Sequence, residues 1–249
     1  MKDLLDRRVP WLIPNIEELR LGTGLHSTPN HGASIMELVS YLAGEPWSAY
    51  PMCASPLITA FASNWGDVLD DETRQRLKPF APRIVGTRST DAVEERRAYL
   101  VLDWLIRTHT PAWLALTEQL AVHAAALRAL PEIVDAVTLG AAVSPLRAAA
   151  RDAAAARAAG DDAGYDVWAA IRLGAAGGAA AMVATSRYDA WGTADDLRNH
   201  WPWGTTLRHA AWAAARDAAW VAADESLRPT KERLQDSAFD LLDRLIQCK

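Results

Sequence analysis

The sequence predicts an all-α protein, an irregular multi-helix bundle, and three observations carry that reading. Apolar residues recur at three- and four-residue spacing through most of the chain. Helix-start signals, a Ser, Thr or Asp followed by Glu or Pro, stand ahead of several of these stripes. No run of alternating β-branched residues is long enough to make a strand. The chain also changes texture. Residues 1–90 are punctuated by Pro, Gly and Ser, with compact helices between turns. Residues 91–249 form an Ala/Trp-rich helical remainder, and the two parts are expected to pack as one unit.

In the first part, Asn15 can cap a short helix whose first turn carries Glu17 and Glu18, carboxylates that suit the positive end of a helix dipole. Residues 22–32 read as an irregular loop. Ser34 and Glu37 then form a capping box, Ile35, Leu38, Val39 and Leu42 an apolar face, and Gly44 a C-terminal stop. After a Pro-rich turn over residues 45–55, Leu57, Ile58, Phe61, Trp65 and Leu69 recur at helical spacing. Asp70 or Asp71 opens the next helix, whose apolar side includes Leu77 and Phe80 and which Pro79 and Pro82 break.

In the second part, a helix starts at Asp91 and runs through Leu100, Trp104 and Leu105. Thr110–Pro111 and Ser144–Pro145 each read as a cap followed by proline at the first helical position. The alanine-rich stretch from Leu146 to Ala159 is a strong helix former that ends at Gly160. Thr193 caps another short helix, Trp201 to Gly204 is a turn, and a long helix runs from Thr205 towards Leu227. An Ala-Ala-Trp unit recurs there at a spacing of eight, placing Trp212 and Trp220 near one face as helix-packing residues. Pro229–Thr230 resets the chain for a last amphipathic helix with Leu234, Leu241, Leu242, Leu245 and Ile246 inward.

Composition narrows the function classes. Half the residues are hydrophobic, but many are alanine, so Leu, Ile, Val and 11 tryptophans must supply the bulk of the core. The formal charge is −5 and no basic block stands out, which argues against nucleic-acid binding. Two distant cysteines, Cys53 and Cys248, suit a reducing cytoplasm and neither a disulfide framework nor a Cys-based zinc site. The longest run of small apolar residues, from Gly174 to Thr185, is too short and too weakly hydrophobic to span a membrane. The amino terminus lacks the pattern of a signal peptide. A soluble cytoplasmic protein is the expectation.

Residues able to carry chemistry concentrate between His26 and Asp67. One reading is a metal site of His26, His31 and Glu37, with Glu45 as a further candidate ligand, since imidazole and carboxylate suit zinc or non-haem iron. The five-residue separation of the two histidines matches no helical ligand pair. A second reading makes Cys53 a nucleophile activated by His26 or His31 and oriented by Asn64 or Asp67. The third is structural: Glu45 and Ser48 bond backbone groups, Trp47 plugs the core, and Pro46, Pro51 and Pro56 stiffen the connection. The other histidines, His109, His123, His200 and His209, read as satisfied or solvated. No phosphate loop, dinucleotide fingerprint, H-E-x-x-H or G-x-S-x-G is present. No cofactor is identified.

The block from Met36 to Ser48, MELVSYLAGEPWS, resembles a family of uncharacterised proteins of actinobacteria and their phages. The likeness continues through Cys53–Pro56, Trp65, Leu77–Pro79, Val85–Thr87, Asp103–Arg107 and His109–Trp113 to the Ala-Trp repeats. It closes on Leu227–Thr230 and Leu241–Arg244, and so spans most of the chain. The family brings no established activity and therefore no catalytic roles. Where its members often read Ser-Asp-His-Pro, this chain has Ser48-Ala49-Tyr50-Pro51; where they read Trp-Asn-Asp, it has Trp65-Gly66-Asp67. Chemistry carried by those family residues would be absent here. The expectation from the sequence is a protein that binds a protein partner or itself. The alternative is a metal-assisted or cysteine-dependent hydrolase with its site in residues 26–67.

Overall fold

The computed structural model describes residues 19–158 and 227–249, and over these the chain is all-α. Among the described residues the nearest approach to a sheet is a parallel bridge between Leu21 and Ala33. Helix α1 spans Ile35–Leu42, α2 Pro56–Val68, α3 Asp71–Gln75, α4 Ala81–Ile84 and α5 Asp91–Trp104. Beyond them come α6 at Thr110–Leu114, α7 at Ala121–Arg128, α8 at Ala136–Ala158 and α9 at Arg228–Gln247. Among the described residues no helix is long and apolar enough to cross a membrane. The expected helix after Asn15, the stop at Gly160, the Thr193 cap, the Trp201–Gly204 turn and the Trp212/Trp220 repeat lie outside the described residues.

Local chemistry accounts for the ends of the first helices. The capping box of α1 forms: the Ser34 hydroxyl accepts the Glu37 N–H, and the Glu37 carboxylate accepts the Ser34 N–H. At its other end Gly44 takes a φ of 70°, a conformation that favours glycine, and its N–H bonds the Tyr41 carbonyl. Ser55 caps α2 ahead of Pro56, and Asp70 caps α3 by accepting both the N–H and the hydroxyl of Thr73. Pro79 and Pro82 break the chain after α3 into a 3-10 turn and the single-turn α4.

Two proline signals resolve differently from their expected form. Thr110 does not cap a new helix. It is itself helical, because α5 runs into α6 through a π-turn over Leu105–His109. The wider turn routes the Thr110 N–H to the Leu105 carbonyl just before Pro111, a residue with no N–H to give. Ser144–Pro145 likewise starts nothing, since Pro145 sits inside α8. That helix begins earlier, where the Asp135 carboxylate accepts the Thr138 N–H at 2.8 Å. Buried Leu139, Ala142, Leu146 and Ala149 straddle the proline, and their packing offsets the roughly 3 kcal/mol an interior proline costs.

The apolar faces build two main cores that share α5. The first joins α1, α2 and α4 to α5 and α9, around Trp65, whose ring lies 4.4 Å from that of Phe239 and 5.5 Å from that of Phe61. Residues from both textures of the sequence meet there. The second core lies on the other side of α5, where Leu102 and Ile106 meet α6, α7 and the alanines of α8. A smaller group, Trp113 with Leu227 and Leu234, ties α6 to α9.

Buried arginines close helix ends that the cores leave polar. Arg97 occupies an inward position of α5 and is 2 % exposed. Its Nε donates to the Leu245 carbonyl at 2.9 Å and its Nη2 to that of Cys248 at 3.0 Å, satisfying the last turn of α9. Its Nη1 reaches the Thr87 carbonyl and the Glu94 carboxylate. Arg74 does the same for α2, donating to the carbonyls of Gly66 and Leu69. Replacing Arg97 by Ala strands these carbonyls and leaves Glu94 without its counter-charge. It should lower stability by about 3 kcal/mol or more in urea or guanidinium unfolding, against about 0.5 kcal/mol or less for the exposed neighbour Arg96→Ala.

Candidate functional site

Residues 22–55 pack as two loops on either side of α1, and Glu37 sits between them. Its carboxylate is 2 % exposed and accepts the backbone N–H of His26 at 2.7 Å, the His26 ring Nδ1–H at 2.9 Å and the Ser34 N–H at 2.8 Å. Three donors thus converge on one buried carboxylate. The His26 ring lies against two glycines. A Cβ at Gly22 would come within 3.0 Å of its Nε2, and one at Gly32 within 2.9 Å. Gly32 also holds a φ of 114°, so no other residue fits there without strain.

The second loop is tied to the first from above. The Trp47 indole N–H donates to the His26 carbonyl at 2.7 Å. Trp47 is therefore a half-buried strut between the loops, in place of the core plug its size suggests. Ser40 links α1 to the turn, donating to the Glu37 carbonyl and accepting the Ser48 N–H. Glu45 accepts the N–H groups of Met52 at 2.6 Å and Cys53 at 2.8 Å, gathering the Pro-rich turn around one carboxylate. The Cys53 carbonyl accepts the Arg88 N–H, which fastens this turn to the segment after α4.

Of the five candidate residues, the fold thus brings His26 and Glu37 into direct contact, and Glu45 and Cys53 into direct contact. His31 is engaged elsewhere: its Nδ1 lies 2.9 Å from the Ser27 hydroxyl and 3.3 Å from that of Thr28. Among the described residues no three His, Cys, Asp or Glu side chains are placed to share a metal ion. Asn64 bonds the Ala60 carbonyl of its own helix, while Asp67 reaches across to accept the Gly24 N–H at 2.8 Å.

The electrostatics of Cys53 run against nucleophilic use. Burial pushes its thiol up from the ordinary value, and the adjacent Glu45 carboxylate pushes the same way against a backbone hydrogen bond at Gly86. A reactive cysteine needs the opposite surroundings, a neighbouring cation or a helix amino terminus.

No family model, curated protein or solved structure matches this chain.

The fold also holds polar residues which composition did not single out. Asp103, buried on α5, accepts from Arg107 and from the Ile133 N–H, fixing the loop before α8. Buried His109 lies 5.1 Å from the Trp104 ring, and its Nε2 receives the Trp113 indole N–H at 3.2 Å. Trp104 and Trp113 at this spacing around His109 were the available signal. The bonds to Glu37 predict that Glu37→Ala costs about 2–3 kcal/mol in chemical denaturation, since it removes a cap and leaves three donors stranded. For Cys53, the Cys248→Ser variant isolates one thiol. Its alkylation by iodoacetamide should turn on at a pH above that of glutathione, because the thiolate is the reactive form and burial opposes it. A midpoint below glutathione's would contradict this account of the turn.

Proposed function

We propose that this chain acts by binding protein, through the two loops on either side of α1. The observation that carries the reading is a division of labour within residues 22–55. The polar side chains there bond the backbone of the loops themselves, while Leu25, Tyr50 and Met52 stand 74 %, 73 % and 66 % exposed. Each exposed residue sits beside an anchor: Leu25 next to His26, Tyr50 two residues after Ser48, Met52 on the Glu45 bond. Loops held this way lose little freedom on association, which raises affinity for a given contact area. Tyr and Met are also residue types that interfaces favour, large in contact area and adaptable in packing. The absence of a basic block in the sequence supports a protein as the partner in preference to a nucleic acid. A cytoplasmic setting follows from the same reading, with its two separated cysteines.

The hydrolytic alternative retains one favourable feature. Glu37 orients His26 through Nδ1, as a carboxylate orients a catalytic base. Against it, Gly22 and Gly32 lie against the other ring nitrogen, and burial, reinforced by Glu45, raises the Cys53 thiol.

The double substitution Tyr50→Ala/Met52→Ala tests the proposal. It changes exposed side chains, so helicity and unfolding midpoint should be preserved to within about 0.5 kcal/mol. Sedimentation velocity across a concentration series reads self-association, and quantitative co-purification reads a distinct partner. Whichever complex the unaltered chain forms should weaken at least about tenfold, the equivalent of about 1.4 kcal/mol. Undiminished association by the variant, or a chain that stays monomeric and retains no partner, overturns the reading.

A further inference from the structure

We draw no further inference here: the strongest candidate, the polar cleft of about 470 Å3 between α3 and the first half of α9 with buried Gln235 in its wall, is lined by three carboxylates against three cations, with Arg76 already paired to Asp236 and Asp70 to Thr73, so nothing in the structure selects the chemistry of a ligand.

Discussion

The guanidinium of Arg97 stands where three parts of the fold would otherwise end in unsatisfied polar groups. The last turn of α9 leaves carbonyls without intrahelical partners, and Arg97 donates to two of them from a site closed to water. Through Glu94 and Thr87 the same cluster reaches Ser55, whose hydroxyl donates to Glu94 and also caps α2. One charged side chain therefore couples the start of α2, the segment after α4, the middle of α5 and the end of α9. The first apolar core closes around Trp65 with these matched polar ends at its border. A buried charge brings a desolvation penalty of several kcal/mol, and here a carboxylate and three carbonyls offset it.

The same logic recurs with opposite sign elsewhere. Buried arginines donate to helix-end carbonyls, at α2 through Arg74 and at α9 through Arg97. Carboxylates accept backbone N–H groups where the chain is not helical: Glu37 for His26 and Ser34, Glu45 for Met52 and Cys53, Asp67 for Gly24, Asp103 for Ile133. Loops in a small helical protein carry many backbone donors that no ladder satisfies. The acidic residues that look catalytic in the sequence are largely the acceptors for them. This is why the block between His26 and Asp67 combines chemistry-bearing residue types with a firmly held shape, and why its exposed apolar residues are presented in fixed positions.

Much of the helical fold was legible because its signals are local. The Ser34–Glu37 box, the Gly44 stop, the Asp70 cap and the stripe from Leu57 to Leu69 depend on neighbours within four residues. The candidate site was legible as a region and only partly as an arrangement. His26 meets Glu37 and Glu45 meets Cys53, but His31 turns to Ser27 and Thr28. Arg97 is masked by a run of charged residues, Glu94 to Arg97, although it lies four residues from both Val93 and Val101 on the inward stripe. Position on the stripe was the signal, and residue type obscured it.

Three Ser/Thr–Pro dipeptides mark the boundary between what local sequence settles and what packing settles. Ser55–Pro56 opens α2, Thr110–Pro111 continues a helix through a π-turn, and Ser144–Pro145 lies within α8. All three satisfy the same local rule, so the rule cannot choose among them. At Ser55 the hydroxyl and N–H have distant partners in Glu94 and Thr87; at Pro145 buried residues on both sides keep the helix going. The sequence by itself determined the all-α class and the capped N-terminal helices. Tertiary structure alone decided which helices join, which arginines are buried, and that the acids of the candidate site serve the backbone. The reason is range. Caps and stripes act over one or two turns, whereas Arg97 and Leu245 are 148 residues apart and meet only once the chain has folded.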